Sequence, residues 1–445
     1  MSRFVVNNLP IEMFALWLLE LALSYYLIVI LLTSDTISAG LGMPTTNQAF
    51  FIALAVVSTA FLIGLYQPAV FARTRGMLVN TALGGMMAFP AAWLVSLALG
   101  IDAATIVGRN WLWPLEILGI WIAALFVTRL TFLAAVRSNV FVRRFAMLGD
   151  PAGMQPTVAA VTAAQVGFIS ITAGPVLQAD PAKLRRAGVL DLVATRPALD
   201  AMTEADRAAY ASAGVSIQTE AQFWERHLRR VDIDAIGPEW VVDVAHNAGG
   251  RLQAAVNRTG DVMVSLAMVV FTAPLMALVA VAVRLDSPGP VLYRQDRVGL
   301  DAIPFTLLKF RSMQINAECA GPAWATTSDP RVTRIGGFIR RTRMDELPQL
   351  FNILRGQMSF IGPRPERPHF VNQLSAVIPY YRERARVKPG LTGWAQVNYP
   401  YGASVEDARM KLSYDLYYVK HRSILLDLSI MFATIRVILF QEGSR

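Results

Sequence analysis

The chain has 445 residues, 54% of them hydrophobic and only 16% charged, with a mean hydropathy of +0.42. Soluble domains carry roughly 25% charged residues, so a wholly soluble protein is excluded and two or three domains with membrane segments are expected. One cysteine, Cys319, excludes an intrachain disulfide and suits cytosolic soluble parts.

Charge is unevenly spread. Residues 284–445 hold 23 Lys+Arg against 14 Asp+Glu, which is the whole net charge of +9, and 19 of those cations are Arg. Residues 1–283 hold 18 of each sign and are neutral. An Arg-dominated excess suits bidentate binding of phosphate or carboxylate. Attraction to anionic lipid headgroups accounts for it equally well.

Four apolar stretches come first: 13–32, 48–66, 77–99 and 111–136. Each is near the ~20 residues that cross a bilayer, and Trp or Tyr stands near several ends. The first is too long, and too free of small-residue cleavage signals, for a signal peptide. Glu20 and, in the fourth stretch, Glu116 and Arg129 are charges within these stretches. Arg73 and Arg75 in the second loop and Arg137, Arg143 and Arg144 after the fourth stretch are set against Asp35 in the first loop and Asp102 and Arg109 in the third. The positive-inside rule then places the N-terminus and everything after residue 137 in the cytoplasm, beneath an inner membrane.

Residues 138–237 read as a Rossmann-like α/β domain, with strands at 145–149, 166–174 and 189–196 and alanine-rich helical segments between them. Gly149 and Gly153 make an incomplete phosphate-binding loop, so nucleotide binding competes with a role in assembly or regulation. A linker is expected over 238–257.

Residues 258–284 are the fifth membrane element. Val262–Val283 carries no charge, is flanked by Arg258, Asp261 and Arg284, and contains Pro274. A straight helix of this length would span about 33 Å, enough to cross. Arginine at both ends favours entry and exit on one face, and proline can kink the helix, so a re-entrant hairpin is expected.

The remainder, 285–445, is read as a basic C-terminal domain. Strands are expected over VLYRQDRVG and PFTLLKFRSM, the second presenting Lys309 and Arg311 on one side of Phe310. RRTRMDELPQL (340–350) sets the acid pair Asp345–Glu346 among Arg340, Arg341 and Arg343, and GPRP (362–365) brings Arg364. A lone Asp here would be a helix N-cap. A second acid and surrounding arginines instead suit Mg²⁺ and a diphosphate, or a carboxylate that accepts a phosphoryl group. Arg384, Arg386 and Lys388 precede Trp394, which either stacks on a base or packs. Helices over 405–420 and 424–440 suit a membrane interface or a core.

SPGPVLYRQ, KFRSM, DELPQLFNILRGQMSFIGPRP and KPGLTGWAQVN resemble, in order and spacing, the bacterial sugar transferases, that is, the monotopic phosphoglycosyl transferases. The resemblance covers roughly residues 255–440. The N-terminal spans and α/β domain look like the large members that start exopolysaccharide or O-antigen repeat units, and FWERHLRRVDIDAIGPEWVV (223–242) is similar to an exosortase-associated subgroup. The fold so implied is a membrane α/β protein with four transmembrane helices, a Rossmann-like domain and a catalytic domain with a re-entrant helix and interfacial helices. The implied reaction transfers hexose 1-phosphate from a UDP-hexose to undecaprenyl phosphate through a phosphoryl-Asp345 intermediate, releasing UMP. Glu346 would share Mg²⁺ with Asp345. Lys309, Arg340 and Arg364 match the family's basic active-site positions, with Arg311, Arg341, Arg386 and Lys388 as further phosphate or UDP-sugar candidates. Arg258, Asp261 and Pro274 match the membrane hairpin, although Ala273 stands where the family often has Ser. Partners implied are the donor, the lipid acceptor and the bilayer, with no nucleic acid. The accessory domain is a candidate dimerisation unit. Competing expectations are a glycosyltransferase that releases UDP and a non-catalytic scaffold whose basic domain binds anionic lipid.

Overall fold

A computed structural model describes residues 11–39, 46–62, 65–66, 74–100, 113–138, 143–163, 169–173, 180–237, 240–242, 244, 251–315, 331–399, 402 and 404–440. Arg73, Asp102, Arg109 and Cys319 lie outside them. The chain divides into two compact units, residues 1–228 and 229–445.

The first unit begins with apolar helices Ile11–Ala39 (α1), Thr46–Leu62 (α2), Thr74–Ala98 (α3) and Trp113–Arg137 (α4). Met13–Ile30 and Leu118–Ala135 are long and apolar enough to cross a membrane, and Asn47–Phe61 and Gly84–Ala98 are shorter apolar runs. Of the three charges noted inside the first and fourth stretches, Glu20 and Arg129 meet. Arg129 Nε and Nη2 donate to the two carboxylate oxygens of Glu20, each at 3.1 Å, and both side chains are fully buried. Thr81 accepts from Arg129 at 3.0 Å, Thr128 donates to Glu20 at 3.0 Å, and Tyr66 OH also donates to Glu20. Charges in a membrane-type bundle persist where they are paired in this way.

The α/β part of this unit follows. Strands Arg143–Leu148 (β1), Ile169–Ala173 (β2), Val189–Ala194 (β3) and Ser216–Thr219 (β4) form a parallel sheet in the order β2-β1-β3-β4. Alternate residues of β1 feed two cores. Phe145 and Met147 pack with Met154, Phe223 and Trp224, while Ala146 and Leu148 pack with Leu192, Tyr210 and Val215. A parallel sheet buried on both faces requires such apolar strands.

The second unit starts earlier than composition suggested. Val231, Ile233, Ile236, Trp240 and Val244 are buried against Phe370, Leu374, Leu412 and Leu416. The described residues between 229 and 244 therefore belong to the C-terminal core, whereas the sequence reading divided this stretch between the α/β domain and a linker. Apolar spacing in this stretch serves a core that its local neighbours do not supply.

Arg251–Asp286 (α5) is one helix with Pro274 inside it. Thr272 Oγ1 donates to the Met268 carbonyl at 2.7 Å, the back-bond that bends helices. The carbonyl freed by Pro274 is that of Val270, so the Thr272 hydroxyl serves a different one. Along one side the helix binds the unit. Arg258 donates to the carbonyls of Ile353 and Leu354 at 2.6 and 2.7 Å, and Asp261 accepts from Ser359 Oγ and Phe360 N–H at 3.0 Å each. Met268 and Val269 pack against the Leu350 and Ile353 core, and Val279 and Val283 against Phe310 and Ile339. Along the other side Met263, Leu266, Val270, Phe271 (84% exposed), Leu278, Val281 and Leu285 have no cover.

Beyond α5, Leu292–Val298 (β5) and Pro304–Phe310 (β6) pair antiparallel, and Ser359–Ile361 (β7) pairs parallel with Gly390–Thr392 (β8). Arg334–Arg341 (α6), Gln349–Leu354 (α7) and Pro368–Val377 (α8) lie between. Val405–His421 (α9) buries Leu412, Leu416, Tyr417, Tyr418 and Val419, so it is a core helix rather than an interfacial one. Ile424–Phe440 (α10) buries Leu426 and Ile430 and exposes Ile424 and Leu428.

Candidate active site

The acid pair sits in a tight turn. Met344–Glu346 forms one 3₁₀ turn, entered through Arg343 at φ 59°, and α7 begins only at Gln349 with Pro348 as its cap residue. A left-handed arginine is an uncommon conformation that surrounding contacts must hold. The expected N-cap role of Asp345 is not realised, because Pro348 occupies the cap position and the Asp345 carboxylate accepts no hydrogen bond from a described residue. Both acids are buried, at 7% and 9% exposure.

Their surroundings differ sharply. Glu346 Oε1 is held by Arg364 Nη2 at 2.7 Å, Lys309 Nζ at 3.1 Å and Arg343 Nη1 at 3.8 Å. Burial alone would raise its pKa, but Arg364, Lys309 and Arg343 outweigh burial and hold it well below the usual carboxylate range. Burial is the leading influence on Asp345 and raises its pKa, opposed by the charge of Lys309 and then by those of Arg364 and Arg340. Burial also lowers Lys309, against the pull of Glu346. Glu346 thus gathers the cations, and Asp345 is left beside them with no hydrogen-bond partner among the described residues. At Asp345 loss of water outweighs the neighbouring cations.

Of the residues singled out in sequence, Lys309, Arg340 and Arg364 gather at the acid pair, Arg340 through its charge on Asp345. Arg311 does not. It is buried and donates through Nη2 to Ser287 O at 2.6 Å and Ser287 Oγ at 2.9 Å, closing the turn after α5. Lys309 and Arg311 fail to share a face because β6 ends at Phe310, where strand alternation stops. Arg341 is exposed and returns to the Gly337 carbonyl of its own helix. Arg386 pairs with Glu383 within one turn. Lys388 stands near Arg258 at the root of α5, since a Cβ on Gly356 would lie 3.7 Å from Lys388 Nζ and 3.6 Å from the Arg258 guanidinium. Arg258 and Asp261 anchor α5 as described above. Trp394 is buried, donates to the Arg229 carbonyl at 2.9 Å and packs on Tyr417 at 6.1 Å, so it packs rather than stacks on a base.

Sequence reasoning missed Arg297, Tyr381 and Asp415, and gave Arg384 no role. Arg384 Nη2 lies 2.7 Å from Asp415 Oδ2 and donates to the Arg364 carbonyl at 3.0 Å. Burial pushes Asp415 up to about 6 against the pull of Arg384, and Tyr381 up to about 12. No local motif marks Asp415, which reaches the site only through α9 packing. A cavity of about 210 Å³ adjoins the GPRP loop, lined by Pro363, Arg364, Pro365, Tyr381, Arg384 and Val387 among others.

Among the described residues no group of three or more His, Cys, Asp or Glu side chains forms a metal-binding set. Asp345 and the Oε2 atom of Glu346 offer carboxylate oxygens that no side chain among the described residues claims. This donor set fits a Mg²⁺ ion that completes its shell on a substrate diphosphate, as Mg²⁺ commonly does.

Residues 252–441 match the model of the bacterial sugar transferase family. An exopolysaccharide production protein of Rhizobium leguminosarum bv. phaseoli is 38% identical over 193 residues, 95% of its own length and 41% of this chain. The chain belongs to the bacterial sugar transferase family. A UDP-N-acetylgalactosamine-undecaprenyl-phosphate N-acetylgalactosaminephosphotransferase of Aeromonas hydrophila is 41% identical over 240 residues, 50% of this chain and 57% of that protein. A UDP-glucose:undecaprenyl-phosphate glucose-1-phosphate transferase of Escherichia coli (strain K12) is 41% identical over 180 residues, 40% of this chain. The chain spans 57% of the first of these two and 39% of the second.

Proposed function

We propose that this protein transfers a hexose 1-phosphate from a UDP-hexose to undecaprenyl phosphate, the first membrane step in building a polysaccharide repeat unit. The observation that carries the reading is the unequal acid pair. Glu346 is neutralised by Arg364, Lys309 and Arg343, while Asp345 beside it has no partner among the described residues. A buried carboxylate freed from hydrogen bonds is a competent nucleophile. The relatives' names supply the substrate class, a UDP-sugar and undecaprenyl phosphate.

In the first step an Asp345 oxygen attacks the sugar-bearing phosphorus. The bond from that phosphorus to the bridging oxygen breaks, and UMP leaves with the electron pair. In the second step a phosphate oxygen of undecaprenyl phosphate attacks the same phosphorus, the Asp345–phosphorus bond breaks, and the carboxylate returns. Lys309, Arg340 and Arg364 would stabilise the equatorial oxygens as charge redistributes. Mg²⁺ held by Asp345 and Glu346 would neutralise charge on the diphosphate. The cavity beside Arg364 has the apolar and cationic lining that suits the nucleoside end of the donor.

The re-entrant path of α5, with the catalytic domain on the cytoplasmic face, belongs to the same reading. The helix is 36 residues long, about 54 Å if straight. One compact unit grips it near its start at Arg258 and Asp261, at its middle and near its end at Val283. A straight crossing would carry polar groups of that unit through the hydrocarbon, where unsatisfied polar groups are costly. Single cysteines replacing Gln253 and Ser287, in a Cys319→Ser background, should both label from the cytoplasmic side. Labelling from opposite sides would refute the hairpin.

The function is tested with purified protein, undecaprenyl phosphate, Mg²⁺ and a panel of UDP-sugars. UMP should be released with at least one of them. Release of UDP alone would identify a glycosyltransferase instead.

A further inference from the structure

Four consecutive carbonyls of the loop that carries Arg364 are each held by one donor. Gly390 N–H donates to Pro363 O at 2.9 Å, Arg384 to Arg364 O at 3.0 Å, Arg297 to Pro365 O at 3.0 Å, and Val298 N–H to Glu366 O at 2.9 Å. The two prolines fix their own φ angles. Gly362 admits the neighbouring strand so closely that a Cβ there would lie 2.2 Å from the Lys388 carbonyl. A surface loop seldom has every carbonyl claimed, because water serves most of them. Two of the four donors are arginine side chains. Arg384 is only 11% exposed and is braced by Asp415, 2% exposed, and by Tyr381 OH at 3.0 Å. Arg297, 19% exposed, is braced by Gln295 at 2.5 Å and lies 3.9 Å from Glu366. Among the described residues neither guanidinium touches the acid pair; Arg384 also lines the cavity beside the loop, and Arg297 does not.

We propose that Arg384 and Arg297 are positioning residues: by fixing the carbonyls of Arg364 and Pro365 they preset the Arg364 guanidinium against the acid pair before substrate binds. The proposal rests on the transferase reading for the role of Arg364, but the device itself is a property of the loop. Buried arginine is used because one side chain can bond a carbonyl and a brace together in a fixed plane. Preset donors need no reorganisation when charge develops, and displacing a functional group by about 1 Å can cost on the order of 100-fold in rate.

The test is a double-mutant cycle between Arg297 and Arg364, and a second between the Arg384→Met/Asp415→Asn pair and Arg364. The paired change avoids leaving Asp415 charged and buried without a partner. Arg297→Met should lower single-turnover UMP release about 10-fold or more while changing the KM for UDP-sugar less than about 3-fold. In an Arg364→Met background the same change should have less than about a 2-fold effect, because the group it acts through is gone. Arg297→Lys keeps one donor and should restore most of the rate. A merely structural role gives equal effects in both backgrounds, or a fall in melting temperature without a fall in rate, and either result overturns the proposal. The same variants are titrated with UDP by calorimetry. If wild-type protein releases no UMP, the transferase reading fails by itself, and coupling in UDP affinity still decides the positioning role: coupled losses support it and additive losses refute it.

Discussion

Two buried charge clusters, one in each unit, have opposite logic. In the N-terminal bundle Glu20 and Arg129 saturate each other, and Thr81, Thr128 and Tyr66 take up remaining capacity. In the C-terminal unit Arg364, Lys309 and Arg343 all converge on one oxygen of Glu346, yet its neighbour Asp345 is buried with no hydrogen-bond partner among the described residues. A closed cluster satisfies its own desolvation and is built to stay. A cluster with one unpaired acid retains an unmet cost, which structures keep where chemistry uses it. The contrast teaches that burial of charge alone does not single out a candidate reacting site, whereas an acid left unpaired among cations does.

The largest effect should follow from breaking the open cluster at its free member. Asp345→Asn is expected to lower UMP release by at least about 10⁴-fold. Thermal stability should be unchanged or slightly higher, because a buried charge without a hydrogen bond disappears. Loss of both activity and fold would show that Asp345 is structural, as Glu20 is.

Breaking the closed cluster should act on stability instead. Glu20→Gln leaves Arg129 buried and unpaired, and should destabilise the bundle by about 3–5 kcal/mol in lipid-nanodisc melting experiments. Adding Arg129→Met should recover most of that loss. UMP release per folded molecule should stay within about 2-fold of wild type for the double variant.

The smallest effect is a pH signature that separates the two acids of the open cluster. Asp345 has a raised pKa, so the acid limb of UMP release should fall above the usual range of an aspartate, as the nucleophile must be ionised. Its sign in stability is unfavourable: burial of the ionised form costs stability once pH exceeds the folded pKa, and Asp345→Asn removes that cost. Glu346 has a lowered pKa, so its favourable contribution is complete above the unfolded value of 4.5 and is lost as pH falls toward the folded one. An acid limb at or below the ordinary aspartate range would contradict the assignment.

Much of this site was legible in sequence, for physical reasons. Adjacent Asp345 and Glu346, a preceding run of arginines and proline-flanked Arg364 are local patterns, and local chemistry survives folding. The hairpin strands and the apolar length of α5 were legible through periodicity and composition. Other features depend on where chain segments meet. Arg311 departs from Lys309 because the strand ends between them, and Trp394 is fixed by the carbonyl of Arg229, 165 residues away in the chain, as well as by Tyr417 of α9. Asp415 and Arg297 carry no motif and gain meaning only by reaching the Arg364 loop from α9 and β5. The stretch from residue 229 to 244 was divided between the α/β domain and a linker because its apolar positions match partners more than a hundred residues away.

The account turns on whether Asp345 becomes bonded to phosphorus. Wild-type protein incubated with Mg²⁺ and a UDP-sugar labelled at the sugar-bearing phosphate, with undecaprenyl phosphate withheld, should retain covalent label. Mass spectrometry should place it on Asp345, UMP should be released in equal amount, and Asp345→Asn should carry none. Turnover by wild type with no trapped label under rapid quench, or label on any other residue, would contradict the mechanism.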